Sequence, residues 1–516
     1  MKAGSRNSAL LLCVALAGAT SVPGAAAPPS QIRGIEGLAR AYNTILEARF
    51  DQVEGELRRA CGPAPQEACD VLAATALWWR ILLDPQSRAL DAEFSTAVDR
   101  AIRSSEAWTE RAPDDAEAWF YLGGAYAARV QWRVLRDDKL AAARDGRNIK
   151  LALERATTLD PGLDDAYFGL GMYKYYADVT PAAAKVLRFL LLLPGGDRKE
   201  GLEQMLRARH RGRLLRGEAA YQLHIIYLWY ERQTARALQL LADLHEQYPG
   251  NPLFLIQIAE IQDAYQHDIT ASLTTWRTLL AATREPRANV SALGDVRAHL
   301  GIARQLEALH QTDHAIEALQ AVVEQSPAAP YSSLPLAYLR LGQAYDRLGQ
   351  RAPAIKAYRS AIAAAGSPDP YSVRAQANDR LLRAPDPKRS EAYRLSLEGW
   401  RRLEHNDLPA AAAALDRSVA LHGSDPVARY RLGRVHQARK QDSLALAQFE
   451  HAIRNGKSCP PPILANVHLE AARLYEGLGH RDRAISHYRI VATLFGAAND
   501  SRTAATRALT RLNADR

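Results

Sequence analysis

Small residues recur in this chain at a fixed interval. Gly399 and Gly433 lie 34 residues apart, and each is followed twelve residues later by an alanine, Ala411 and Ala445. Leu415, Phe449 and Ala452 complete the two units. Such a period suits stacked helix pairs. The small residues let two antiparallel helices approach closely, the large ones fill the space left over, and a terminal proline stops the second helix. One pair cannot bury its apolar face alone, so pairs stack, and the chain must grow as a solenoid.

The clearest unit is Tyr338 to Ile362, with Leu341, Gly342, Tyr345, Ala354, Tyr358 and Ala361 in step. Ala116 to Tyr126 (AEAWFYLGGAY) opens another through Trp119, Leu122, Gly123 and Tyr126, and Ala156 and Pro161 close it after an insertion around Arg129 to Asp145. The last unit carries Tyr475, Gly479, Ala484 and Tyr488. Weaker units run from Tyr221 to Pro249, from Leu255 to near Leu280, and from Arg297 to Pro327. These spacings resemble the tetratricopeptide repeat, W-x2-L-G-x2-Y followed by A-x3-F-x2-A and P. The resemblance implies an all-α, tetratricopeptide-like α-solenoid of about nine helix pairs, whose first helices line a concave face.

Ahead of the repeats, Ile35, Leu38, Tyr42, Ile45, Ala48, Val53 and Leu57 recur at helical spacing between Gln31 and Ala60. A second helix follows Cys69 to Leu83, and a third runs from Ser87 to Arg111. Residues 27–112 therefore read as an N-terminal helical cap. A central block with long insertions (113–286), further repeats (287–366), a Pro-rich linker (367–390) and C-terminal repeats (391–516) follow. Lys2 and Arg6 precede the apolar Ala9 to Ala17 and a run of small residues, the pattern of a cleaved signal peptide over 1–26. The expectation is a periplasmic protein with no membrane-spanning helix in its mature part, since Pro181 to Leu193 is short and carries Lys185 and Arg188. In an oxidising compartment Cys61 and Cys69 suit a disulfide across the turn between two helices, leaving Cys459 as a free thiol.

The central block also resembles a group of exported bacterial repeat proteins at AWFYLGGAY, QWRVLR, YFGLGMYKYYAD, LLPGGDRKEGL and YQLHIIYLWYE. A shorter similarity, Gly195 to Leu202 behind an apolar helix, is to the tetratricopeptide-repeat-39 and inclusion-body-clearance family. That second resemblance implies a non-enzymatic protein with a link to membranes and lipid storage.

In a tetratricopeptide unit, positions 2, 5, 9, 12 and 13 of the first helix face the groove. Here they select Phe168, Met172, Tyr175 and Tyr176, then Gln222, Ile226, Trp229 and Tyr230. Adjacent aromatics cannot all face one core, because neighbours stand about 100° apart around a helix. Trp132, Arg133 and Arg136 add stacking and fork-shaped hydrogen bonding for an anionic or peptide ligand, or else form structural ion pairs. The expected function is a non-enzymatic scaffold holding a protein or extended peptide in this aromatic-lined groove. The alternative is a lipid- or envelope-associated binder using the apolar and basic stretch 181–216, through peripheral membrane contact.

Chemistry is not encoded. Asp114-Asp115 and Asp164-Asp165 stand before helices and read as N-caps. His310 and His314 straddle a turn with no third ligand, and Gly456 to Ser458 follows a helix where a phosphate loop would open one. No catalytic residue, metal ligand or cofactor is assigned. The formal net charge of +9 and the arginines of Arg207 to Arg216 raise nucleic acid as a partner, but export and the absence of interleaved aromatics exclude it.

Overall fold

A computed structural model describes residues 32–179 and 195–514, and all their regular elements are helical. The signal segment 1–26 and the apolar run Pro181 to Leu193 fall outside the described residues, the former wholly and the latter in full. Four helices come first: α1 (Ile35–Leu46), α2 (Phe50–Ala60), α3 (Gln66–Leu83) and α4 (Asp91–Arg111). Pairs follow in order: α5 and α6 (Ala116–Leu135, Lys139–Leu159), then α7 and α8 (Ala166–Val179, Arg198–Arg211), then α9 and α10 (Arg216–Trp229, Thr234–Gln247). Next come α11 and α12 (Pro252–Ala264, Ile269–Ala282), α13 and α14 (Ser291–Ala308, Thr312–Gln325), and α15 and α16 (Ser333–Arg347, Arg351–Ala364). After the single helix α17 (Val373–Leu382) stand α18 and α19 (Pro387–Glu404, Leu408–Leu421) and α20 and α21 (Pro426–Ala438, Asp442–Arg454). The last pair, α22 and α23 (Pro461–Gly477, Arg481–Thr493), is capped by α24 (Asn499–Ala514). The fold is an all-helical, tetratricopeptide-like solenoid.

The small-residue positions act as the spacing requires. A Cβ on Gly342 would lie 2.4 Å from the Tyr358 ring, one on Gly399 2.5 Å from Leu415, and one on Gly433 2.4 Å from Phe449. Each partner is the large residue sixteen positions on, and all three are fully buried. Gly301 is different, since its nearest neighbour is Trp276 of the preceding pair. That unit was weak in sequence because its second helix puts Glu317 where the others place a large apolar residue.

The turns inside the pairs repeat more faithfully than the side chains. Asp137, Arg232, His267, His310, Gly349, Asn406, Lys440 and Gly479 all have positive φ, between 51° and 79°, two residues before the second helix begins. Two of these residues are glycine, so the backbone repeat outlasts the sequence signal.

Two sequence expectations need adjustment. The periodic stretch Gln31 to Ala60 is broken at Ala48, whose φ of 59° reverses the chain between α1 and α2. The Pro-rich stretch 367–390 holds α17, whose Val373 and Ala377 pack with Tyr358 and Ala361 of the preceding pair.

The N-terminal helices lie inside the curve of the central pairs. Trp79 of α3 packs against Tyr221 of α9 (5.0 Å between ring centres) and Phe254 of α11 (6.4 Å). The end of α1 is held by the turn before α11: Asn251 Nδ2 donates to Leu46 O (2.7 Å) and Gly250 N to Glu47 Oε1 (2.9 Å). Tyr248 Oη donates to Asn43 Oδ1 (2.8 Å), and Tyr331 N, far along the chain, donates to Asp84 Oδ2 at the end of α3 (2.8 Å). One buried cluster therefore runs from Ile32 to Ala357.

Candidate interaction surfaces

The residues selected as groove-facing separate into two groups. Phe168, Tyr175, Gln222 and Ile226 are buried, whereas Trp229 is 60% and Tyr230 40% exposed. Met172 and Tyr176 are half-buried. Phe168 lines one space with Tyr42 and Trp78 of the N-terminal helices and Gln222 reaches Gln131 of α5, whereas Tyr175 is enclosed by Tyr176, Tyr230 and Glu231. At the centre of the N-terminal packing is Glu218, near the start of α9. Tyr42 Oη donates to its carboxylate at 2.8 Å, Trp79 Nε1 at 2.9 Å and Gln222 Nε2 at 3.3 Å. Gln222 also donates to Gln131 Oε1 of α5 (2.6 Å). Burial raises the Glu218 carboxyl above the usual range, and the three neutral donors pull it only partly back. One carboxylate thus ties α1, α3, α5 and α9 together.

The open residues sit where α9 ends. Tyr230 meets Tyr175 and Tyr176 edge-on, with ring centres 5.9 and 5.5 Å away. Tyr175 Oη donates to Glu231 (2.5 Å), which also receives both Nε and Nη2 of Arg198 (2.8 and 2.6 Å). The Arg198 pair holds Glu231 below the ordinary carboxylate range. Trp229 stands beside this cluster. Equivalent turns of other central pairs carry apolar residues too: Val134 (60% exposed) and Leu140 flank the α5–α6 turn, and Tyr265 ends α11. Among the described residues, the α5–α6, α9–α10 and α11–α12 turns each leave an apolar side chain open, and at the last of them His267 meets the Phe495 ring (5.1 Å) and Asp268 faces Arg502 (3.9 Å). Position counting within single units did not select Val134, Leu140 or Tyr265.

Trp132, Arg133 and Arg136 are engaged inside the fold. Trp132 Nε1 donates to Asp91 Oδ1 (3.1 Å), and its ring lies 5.6 Å from Phe94. Arg136 places two donors on Asp91 (2.8 and 2.7 Å) and one each on the carbonyls of Pro85 and Ser87 (both 2.7 Å). Arg133 binds Asp145 (2.6 Å), which Arg129 grips with two donors at 2.8 Å. These forks lock the long α5–α6 pair to α4, so the insertion is stiffened by its own arginines.

Asp115 caps α5 by accepting from Glu117 N (3.0 Å). Asp165 does not cap its own helix. Its carboxylate receives the N–H groups of Arg213, Leu214 and Leu215 (2.8, 3.0 and 2.8 Å), holding the chain that enters α9. In the basic stretch, Arg207 pairs with Asp164 (2.6 Å) and lies over the Tyr167 ring, and Arg209 pairs with Asp243 (3.0 Å). Cys61 and Cys69 form a disulfide, and Cys459 is buried, which pushes its thiol up to about 12. His310 and His314 do not converge: His310 packs on Tyr393, and His314 lies by Glu317. Among the described residues no three His, Cys, Asp or Glu side chains gather into a metal site, and no helix is long and apolar enough to cross a membrane.

Buried histidines give a pH signature. His224 is held down to about 4 by desolvation, against about 6.5 in an unfolded chain. Its contribution is therefore complete above about pH 6.5 and lost as pH falls toward 4. Raised carboxyls such as Glu218 act in the opposite sense, so the clean observable is a difference. Between pH 6.5 and 4, urea unfolding should show wild type losing up to about 3 kcal/mol relative to His224→Leu. Parallel curves for the two proteins would contradict the assignment.

Residues 336–367 match the family model described as tetratricopeptide repeat, so the chain carries this repeat. No curated protein matches the chain at a significant level. Among solved structures, yeast Tom70 is 12% identical, with 93% of this chain and 96% of that one covered and a TM-score of 0.26. The human IFIT1 dimer with m7Gppp-AAAA is 13% identical over 83% and 91%, with a TM-score of 0.33. A tetratricopeptide repeat protein from Parabacteroides merdae is 13% identical over 58% and 98%, with a TM-score of 0.26.

Proposed function

We propose that this tetratricopeptide repeat scaffold is non-enzymatic, is exported to the periplasm, and binds a protein or extended peptide along the turn edge of its central block. The observation that carries this reading is the pair Trp229 and Tyr230, large aromatics left open on a rigid support while the neighbouring groove positions are buried. Aromatic side chains of this kind are the usual anchors of protein interfaces, because they supply large contact area at low entropic cost. Val134 and Leu140 at the α5–α6 turn and Tyr265 at the end of α11 are further open apolar residues at turns of the central pairs. The basic and apolar leader at 1–26 and the Cys61–Cys69 disulfide support the oxidising compartment.

The test is capture of the tagged protein's partners by crosslinking in cells, followed by mass spectrometry. Trp229→Ala with Tyr230→Ala should cut capture of the dominant partner at least tenfold. Trp229→Ala alone should leave helicity and Tm within the range of surface substitutions, and the Tyr230 change should cost about 1 kcal/mol more through its ring contacts with Tyr175 and Tyr176. Undiminished capture would remove the edge from the binding site.

A further inference from the structure

A cavity of about 70 Å³ lies inside the curve, between α3, α5, α7 and the start of α9. At about 30 Å³ of liquid volume for each water, it has room for about two waters or one small solute of a few heavy atoms. Its walls include the rings of Tyr42, Trp78, Phe120, Tyr121 and Phe168. Glu218 and Asp165 also line it, and no lysine, arginine or histidine does. The side-chain donors to Glu218 are neutral, and Asp165 is met by backbone N–H groups alone. Arg33, which approaches this region from the N-terminal side, is committed to Asp115 and Glu117. The hydroxyl of Tyr121 is buried and without a hydrogen-bond partner.

Burial raises both Glu218 and Asp165 above the usual carboxylate range, so an anion here would oppose their ionisation further, with no lining cation to offset it, whereas a cation would favour it. A neutral apolar solute would leave those carboxylates as they are. A compact cation answers both features, because ring faces attract ammonium groups and buried carboxylates lacking a basic partner favour positive charge. We infer that this cavity is a binding site for a small organic ammonium ion, with the aromatic rings against its carbon atoms and Glu218 and Asp165 as counter-charges. Neither Trp229 nor Tyr230 takes part, so the site can fail without the edge failing, and the reverse.

The experiment is thermal unfolding of the purified full chain in methylammonium chloride. The controls are sodium chloride at equal ionic strength and methanol as a neutral solute of similar size. Methylammonium should raise Tm saturably while neither control does. Glu218→Gln, which keeps an acceptor oxygen for Tyr42 and Trp79, should weaken the apparent Kd at least tenfold. Gly124 lines the cavity, and a Cβ there would lie 3.5 Å from Val71, an ordinary contact. Gly124→Ala should therefore keep the fold, raise the basal Tm and weaken the response by filling space. No saturable shift, an equal shift with methanol, or an unchanged response in Gly124→Ala would each overturn the assignment.

Discussion

Gly433→Leu should destabilise the C-terminal repeats by about 3 kcal/mol or more, and Gly433→Ala by about 1–3 kcal/mol. The Phe449 ring would stand 2.4 Å from the new Cβ. Phe449 is fully buried, with Tyr430, Ala445 and Val467 in its cluster, so it has nowhere to turn. Removing bulk from the ring should relieve part of the clash. A double-mutant cycle of Gly433→Ala with Phe449→Leu should then give a coupling of about 1 kcal/mol or more in the rescuing direction. Additive losses in urea unfolding would mean that Gly433 and Phe449 do not meet across the pair.

The second large effect is expected at Glu218. Glu218→Ala removes the common acceptor of Tyr42, Trp79 and Gln222 from the buried wall of the cavity. Each buried donor left unmet costs about 1–3 kcal/mol, so a total loss of about 3–5 kcal/mol follows after partial rearrangement. The damage should concentrate on the N-terminal helices, because two of the three donors come from α1 and α3. Limited proteolysis should cut first near Ala48, the reversal between α1 and α2, while the repeats from α18 onward stay protected. Uniform loss of protection along the whole chain would contradict a local role for this carboxylate.

Much of the architecture was legible in residue spacing. Gly342, Gly399 and Gly433 announced their pairs because each must face a bulky side chain sixteen residues on. The pairs around Arg232 and His267 were faint because their shared feature is a left-handed turn backbone, which arginine and histidine adopt there without advertising it. The break at Ala48 was hidden by apolar periodicity that continues across it. The groove was the least legible part. Position within a unit says which side of a helix a residue occupies, but not what lies opposite. Tyr42 meets Glu218 across 176 residues and Trp79 meets it across 139, contacts that no local pattern encodes. Arg136 gave a similar ambiguity: its fork suited a ligand until Asp91 and two carbonyls were seen to occupy it.

The burial of Phe168, Tyr175, Gln222 and Ile226 shifts attention to the turns of the central pairs, where Trp229 is the most open aromatic. The most direct measurement places a photo-crosslinking amino acid at position 229 in cells, with a parallel variant at Leu421, an exposed position at the end of α19. The expected result is a discrete protein adduct from 229 and none from 421. An adduct from the C-terminal first helices, for example at Trp400, with none from 229, would place recognition elsewhere and contradict the proposal.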